Sequence, residues 1–125
     1  MKVDTILKFR KNKIMRKIIH IYLLNKGIDI PEEVVIGKNV KFPHNSFGTV
    51  IHPNTIIEDN VKIYQGVTLG ALSTRKGQQL KGVKRHPTIS DNVTIYSGTT
   101  ILGGETVVGK GTTIGGNAFI VNSVS

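Results

Sequence analysis

The stretch that decides the fold runs from residue 51 to residue 69 and reads IHPNTIIEDNVKIYQGVTL. Large apolar residues recur within it at intervals of six: Ile51, Ile57, Ile63 and Leu69. An α-helix repeats about every 3.6 residues and a half-buried strand every two, so neither explains strict sixes. The spacing therefore predicts a short structural unit that is repeated along the chain.

The six-residue period extends well beyond this stretch. Its other members are Ile36, Phe42, Ile89, Ile95 and Ile101, and then, after a shift of one residue at Gly103–Gly104, Val108, Ile114 and Ile120. Self-similarity at a fixed period is typical of repeat proteins, in which each unit buries its apolar side only against its neighbours. We therefore expect a stack of coils over most of the chain.

A physical model of the coil follows from the spacing. Six residues make one short strand and one tight turn, and three such units close a triangular coil of about 18 residues. The repeated aliphatic residue points into the prism, and Gly, Asn or Asp take the strained corners. A narrow prism has no room for large rings, which fits a chain with 38% hydrophobic residues, 6% aromatic residues, no Trp and 14 Gly.

The charge of the chain is concentrated near its start. The 125 residues contain 17 Lys and Arg against 8 Asp and Glu, a net charge of +9, and residues 1–27 hold eight of those bases and one acid. Apolar residues at spacings of three and four predict a basic amphipathic helix over residues 1–27. These residues are Val3, Ile6, Leu7, Ile14, Met15, Ile18, Ile19, Tyr22 and Leu23. We expect one packed face and one solvated basic face. Contact of the basic helix with a membrane surface is an alternative that we do not favour, and no nucleic-acid motif is present.

Several classes of protein are excluded or disfavoured. The length fits one domain, and no apolar run approaches the 18 or so residues of a membrane span. Without Cys there is no disulfide, thiolate metal site or Cys nucleophile, and the context is expected to be reducing and cytoplasmic. Nucleotide fingerprints and the nucleophile elbow of hydrolases are absent. A zinc carbonic anhydrase is disfavoured because His44, His52 and His86 lack its close paired spacing, so we expect no metal.

Two interruptions of the period mark the candidate site. The first covers residues 43–50 and contains His44, and the second covers residues of about 70–88 and contains His86. Insertions in a solenoid leave the coil as loops and often build its functional face. An imidazole, with a reference pKa of about 6.5, can take the proton of an alcohol that attacks a thioester. A histidine on such a loop is therefore a candidate base for group transfer to a hydroxyl, and an incidental loop residue is the alternative.

The order and spacing of several motifs resemble serine acetyltransferase, within the hexapeptide-repeat acyltransferase superfamily, over residues of about 27–122. The motifs are Gly27–Pro31, Ile36–Gly37, His44, Val61–Gly70 and Arg85–Ile89. The resemblance implies an all-β protein, a left-handed parallel β-helix of hexapeptide repeats with a short N-terminal α-helix. Its regions would be the basic helix at 1–27 and the β-helix at 28–125, with a protruding loop at about 70–88.

The same resemblance implies an O-acetyltransferase that moves acetyl from acetyl-CoA to a hydroxyl, with serine, in cysteine biosynthesis, as the leading acceptor. His44 would be the general base, and Asp29, which precedes it at the spacing of the family's dyad carboxylate, would orient it. Arg85 and His86 match positions that hold the acceptor. The backbone of Gly70 and Ala71 matches the part that approaches the acetyl thioester. The resemblance also implies a homotrimer with active sites between neighbouring prisms, and no metal.

Departures from the family leave two alternatives. Pro43 stands where serine acetyltransferases have a substrate-binding acid, and only the short segment 1–27 precedes the Asp29 motif. The Pro43–His44 pair also looks like the sugar O-acetyltransferases of capsule and exopolysaccharide loci. The chain ends at Ser125 still in repeat phase, without the segment that contributes to the coenzyme A site in the family. We therefore expect either a fragment or an end covered by something else, and a non-catalytic scaffold or truncated remnant is the second alternative.

Overall fold

The computed structural model describes residues 2–71, 86–103 and 106–125. Two helices come first, α1 at Val3–Leu7 and α2 at Lys13–Leu24. In the described part of the chain eleven short strands follow: β1 Val35–Ile36, β2 Val50–Ile51, β3 Ile56–Ile57, β4 Lys62–Ile63, β5 Thr68–Gly70, β6 Thr88–Ile89, β7 Thr94–Ile95, β8 Thr100–Leu102, β9 Val107–Val108, β10 Thr113–Ile114 and β11 Phe119–Ile120.

The strands form the three faces of a prism. Face A contains β2-β5-β8-β11, face B contains β1-β3-β6-β9, and face C contains β4-β7-β10. All pairings within these faces are parallel. The chain visits the faces in turn, because β2, β3 and β4 lie on A, B and C and the next three strands repeat that order. The coiled parallel architecture predicted from the six-residue period is confirmed.

The strand register shows how the two interruptions are accommodated. Ile51 lies beside Leu69, and three uninterrupted repeats of six join them into one complete coil. Ile36 lies beside Ile57 across the first interruption, and Leu69 lies beside Ile101 across the second. In both of these cases the chain between the paired residues is longer than the 18 residues from Ile51 to Leu69, yet the inward residues still lie side by side. Both insertions therefore leave the inward position of the flanking strands unchanged.

The interior of the prism is built from the repeated aliphatic residues. No more than 1% of the surface of each is exposed, and the set is Ile51, Ile57, Ile63, Leu69, Ile89, Ile95, Ile101 and Val108. Because these residues stack from one coil to the next, the core runs along the prism axis. The inward orientation predicted for them is confirmed.

Asparagine fills the corner between faces B and C. Asn39, Asn60 and Asn92 occupy equivalent turns on successive coils, with φ of 57°, 58° and 61°. The side-chain amide of Asn39 donates a hydrogen bond to Oδ1 of Asn60 at 3.0 Å. Left-handed φ is strained for most L-residues, and Asn is among the few that tolerate it. The corner role predicted for Asn is confirmed.

The single N-terminal helix predicted over residues 1–27 is wrong in its continuity. The structure has two helices separated by residues 8–12, and the last residue of this link is Asn12. Its side chain accepts a hydrogen bond from the backbone N–H of Met15 at 2.8 Å, which makes it the N-cap of α2. The backbone of Asn12 is extended, so one helix cannot continue through it. The apolar spacing nevertheless continues from α1 to α2 across this non-helical link.

The helices cover the first coil of the prism. Val3 of α1 and Ile19 and Leu23 of α2 are buried in one cluster with Ile28, Ile30, Val34, Val40 and Phe42. This packing covers apolar side chains that would otherwise face water at the open end of the stack. Within the described residues, neither helix is long and apolar enough to cross a membrane.

Arg10 fastens the link between the helices to the first coil. Its Nη2 donates to the carbonyl oxygens of Glu32 at 2.6 Å and Val34 at 3.0 Å. Burial lowers the pKa of the Arg10 guanidinium, the charge of Arg16 lowers it further, and Glu32 and Glu33 partly oppose both effects. Because the pKa of an arginine starts far above neutrality, the guanidinium stays charged at ordinary pH and holds the N-terminal segment on the first coil.

Two neighbouring leucines test whether the helices stabilise the prism. Leu23 has 1% of its surface exposed and Leu24 has 46%. We expect Leu23→Ala to lower the free energy of unfolding by about 2–5 kcal/mol, since it leaves a cavity between α2 and the first coil. Leu24→Ala should change it by about 0.5 kcal/mol or less. Chemical denaturation followed by circular dichroism measures both, and equal losses would contradict the packing.

Candidate active site

His44 lies on a strained turn between faces C and A. The turn spans Pro43–Ser46, and the φ angles of His44, Asn45 and Ser46 are 58°, 55° and 58°. Each left-handed L-residue costs about 1–2 kcal/mol, and such strain persists only where the surroundings impose it. Backbone strain of this kind clusters at functional sites. The turn presents the histidine side chain at a corner of the prism.

Several hydrogen bonds impose the geometry of this turn. The backbone N–H of Asn45 donates to the carbonyl of Phe42 at 3.1 Å, and that of Thr49 donates to the carbonyl of Ser46 at 2.8 Å. Helix α1 contributes as well, because Oδ1 of Asn45 accepts from the N–H of Val3 at 3.3 Å. The N-terminal segment thus contacts the turn that holds the predicted base.

A cleft opens beside His44 and reaches α1. Its volume is about 240 Å³, and it is lined by Lys2, Asp4, Lys41, Phe42, Pro43, His44 and Asn45. Oδ1 of Asp4 accepts a hydrogen bond from the backbone N–H of Phe42 at 2.9 Å, which fixes the carboxylate at the wall. Sequence reasoning missed Asp4, because it is far from His44 along the chain. The fold therefore places an acid, Asp4, in the same cleft as Pro43.

Two aromatic rings on successive coils follow the ring of His44 along the prism. The ring of His44 lies 6.4 Å from that of Tyr64, and Tyr64 stacks on Tyr96 at 4.8 Å between centroids. Each tyrosine directly follows the inward isoleucine of a face C strand, and those isoleucines, Ile63 and Ile95, are paired in the register of that face. Sequence reasoning missed these tyrosines, although the repeated Ile-Tyr pair was a usable signal.

Asp29 is held by a different histidine from the one that its spacing suggested. Its Oδ1 lies 3.0 Å from Nε2 of His20, on α2. Among the described residues Asp29 forms no hydrogen bond or ion pair with His44. The backbone of Asp29 bridges to Val50 of β2, so the carboxylate lies at the start of face A. The pair with His20 depends on how α2 packs, which sequence spacing does not reveal.

Of the other predicted residues, the structure describes Gly70, Ala71 and His86, which lie at the corner between faces A and B. His86 stacks on His52 with centroids 5.8 Å apart and an interplanar angle of 15°. Gly70 ends β5, and its carbonyl accepts from the N–H of Gly103 at 2.7 Å. Ala71 lies within the second interruption and is the last residue described before residue 86. Arg85 and most of the predicted loop lie outside the described residues.

The predicted base lies at a different corner of the prism from the three predicted binding residues that the structure describes. His44 precedes β2 on face A, whereas His52 and Ala71 follow face A strands. Four extended residues span about 13 Å, so the two corners are too far apart for a direct contact. Within the parts of the chain that the structure describes, no group of three or more His, Asp or Glu could hold a metal ion. Within one protomer, the described residues thus keep His44 apart from Gly70, Ala71 and His86.

The three parallel faces and the six-residue period define the class of this protein as a parallel β-helix of hexapeptide repeats. No protein-family model matches the chain. Its curated relatives include serine acetyltransferases: that of Staphylococcus epidermidis is 48% identical over 67 residues, which are 54% of this chain and 28% of the relative. The sequence resemblance to serine acetyltransferases is confirmed by these matches.

Solved structures support the same likeness across nearly the whole chain. A serine acetyltransferase in complex with CoA is 32% identical with a TM-score of 0.68, over 90% of this chain and 41% of that one. Isoform 3 from Entamoeba histolytica, in complex with cysteine, is 34% identical with a TM-score of 0.70, over 89% and 36%. The chain thus spans less than half the length of these relatives.

Proposed function

We propose that the protein is an acetyl-CoA-dependent O-acetyltransferase of the serine acetyltransferase type. The observation that carries the proposal is the likeness to serine acetyltransferases in both sequence and fold. The solved relatives include complexes with CoA, cysteine and serine, which is why acetyl-CoA is the expected donor and serine the first acceptor. A cytoplasmic location remains a prediction.

In the proposed reaction the acceptor hydroxyl loses its proton to the imidazole of His44 as its oxygen attacks the thioester carbonyl. A backbone N–H near Gly70 or Ala71 stabilises the oxyanion of the tetrahedral intermediate. Collapse of the intermediate breaks the carbon–sulfur bond. The CoA thiolate leaves and takes up the proton held by His44, which restores the neutral base.

The proposed site combines residues of two protomers. His44 lies at one corner of the prism and Gly70, Ala71 and His86 lie at the next, so a single protomer cannot bring them to one substrate. A cyclic trimer would place the His44 corner of each prism beside the other corner of its neighbour. The homotrimer is accordingly part of the proposal. Asp29 would support the imidazolium of His44 in this assembly.

Asp4 is proposed to bind the ammonium group of serine. Its carboxylate lines the cleft beside His44, where the sequence offers Pro43 in place of an acid. We expect Asp4→Asn to raise the KM for serine about tenfold, since a charge-assisted hydrogen bond contributes about 1.5 kcal/mol or more. The amide can still accept from the N–H of Phe42, so folding should be retained.

The matched control for Asp4 is Asp91→Asn, at the far corner between faces B and C. It removes the same charge without touching the cleft, and we expect the KM to stay within about twofold. Steady-state kinetics with serine at saturating acetyl-CoA measures both variants. An unchanged KM for Asp4→Asn would remove Asp4 from the acceptor site and would favour a neutral acceptor.

The acceptor is identified by comparing candidate hydroxyl compounds for the rate at which CoA thiol is released from acetyl-CoA. We expect turnover with serine well above the rate in the absence of acceptor. Turnover only with capsule oligosaccharides or nucleotide sugars would support the sugar O-acetyltransferase alternative. No turnover with any hydroxyl acceptor, together with no saturable acetyl-CoA binding by calorimetry, would contradict the enzyme and support a scaffold.

A further inference from the structure

Helix α2 carries a second apolar stripe that is mostly exposed in the described structure. Ile14, Ile18 and Ile21 form this isoleucine stripe, with 72%, 53% and 60% of their surfaces exposed. At about 100° per residue, the stripe lies roughly 150° around the helix from the buried Ile19 and Leu23. It therefore points away from the prism, where the sequence had predicted a solvated basic face.

Basic side chains border the isoleucine stripe on its free side. Lys13 and Lys17 are exposed and lie next to it on the helix surface. Exposed Phe9 and Lys11 extend the same combination into the link before α2. Residues 1–27 carry a charge of +7 in all, with eight bases and one acid. An apolar strip edged with lysine is typical of helices that lie in a membrane interface.

We propose that α2 docks the protein on an anionic membrane surface. The isoleucine stripe would enter the boundary between headgroups and acyl chains, and the ammonium groups of Lys13 and Lys17 would remain among the lipid phosphates. The helix has 12 residues and lies in the plane of the surface, in keeping with the absence of a membrane-crossing helix in the described part of the chain.

Charge favours this occupant over the alternatives. A second copy packed on the stripe by twofold symmetry would bring Lys13 and Lys17 of both copies together, with no acid on α2 to compensate. A nucleic acid would use the lysines but would leave three exposed isoleucines in water. An anionic bilayer matches both the apolar and the basic part of the surface. This surface does not depend on the proposed acetyl transfer.

Cosedimentation with vesicles tests the contribution of the basic side chains that border the isoleucine stripe. We expect the full chain to bind vesicles of phosphatidylcholine with about one third phosphatidylglycerol at least about tenfold more tightly than vesicles of phosphatidylcholine alone. Lys13→Glu with Lys17→Glu should abolish that preference. Lys62→Glu with Lys110→Glu changes the net charge equally on the prism and should leave binding within about twofold.

A second pair of variants tests the apolar part. Ile14→Ser with Ile18→Ser should weaken vesicle binding at least about tenfold. Val35→Ser with Val107→Ser removes two exposed apolar side chains from face B and should not weaken it. All four side chains are exposed, so circular dichroism should show an unchanged fold in both doubles.

Three results would overturn the proposal. The first is equal binding of wild type to neutral and anionic vesicles, and the second is equal loss in the α2 and prism variants. The third is absence of vesicle binding, combined with one of two other findings. One is a mobility shift of RNA. The other is a larger oligomer, seen by light scattering, that dissociates in the double variant Ile14→Ser with Ile18→Ser. In those last cases the stripe would serve a nucleic acid or a second copy.

Discussion

Replacing His44 by asparagine is expected to lower kcat/KM for acetyl transfer by about 10²–10⁴-fold, the usual contribution of a positioned general base. Asparagine is preferred to alanine because the backbone of residue 44 has a φ of 58°, which asparagine tolerates. The variant should therefore keep the turn and the thermal stability of wild type while losing the proton acceptor. The release of CoA thiol with serine measures the loss.

The matched control for His44 is Lys110→Asn, on an exposed turn far from both His44 and His86. It should keep kcat/KM within about twofold. Activity of His44→Asn at the level of this control would contradict the general-base role. A loss accompanied by unfolding would instead make His44 a structural residue, which thermal denaturation distinguishes.

The role of Asp29 is tested in the same assay. A test is needed because the only ion pair of Asp29 among the described residues is with His20 and not with His44. If Asp29 supports the imidazolium of His44 in the assembled enzyme, Asp29→Asn should lower kcat/KM on its own. It should have little further effect once His44 is replaced, since residues that act as a unit are not additive. Full additivity in the double variant would separate Asp29 from the base.

The second large effect is expected from mixing two inactive variants. His44→Asn and His86→Ala alter different corners, and each alone should lose about 10²-fold or more in activity. When the two chains are unfolded, mixed equally and refolded, about a quarter of the wild-type activity should return. A site between protomers is intact only where an unaltered His44 meets an unaltered His86, which random assembly allows in about one quarter of cases.

Differently tagged chains allow mixed oligomers to be isolated before the assay, and each mixed trimer should have one intact site of its three, or about a third of the wild-type activity. Each variant refolded alone is the control and should stay inactive. Isolated mixed oligomers without recovered activity would contradict a shared site. An active monomer by light scattering would contradict it independently.

The prism could be predicted from the sequence because its signal is local. The six-residue period of Ile51, Ile57, Ile63 and Leu69 follows from the length of one strand and one turn, and the same period assigns each inward side chain. Asn and Gly at the corners follow from the strained φ of the turns. The N-terminal segment was harder, because apolar spacing continues through the break at Asn12.

The candidate site was only partly predictable. His44 could be singled out because it interrupts a regular pattern, and the resemblance to serine acetyltransferases supplied its expected role. The contact of Asp29 with His20 and the position of Asp4 beside His44 could not be found in this way. Both depend on the packing of helices against the first coil, which joins residues that no local spacing relates.

What the sequence determined by itself was the coil, its inward residues and its two insertions, since short-range sterics and alternation decide them. The tertiary structure alone decided that His44 and His86 lie at different corners of the prism, because corner positions depend on the strand register after each insertion. It also decided which apolar stripe of α2 is buried. Ile19 and Leu23 pack on the first coil, and another face of the helix, equally apolar in sequence, is left exposed.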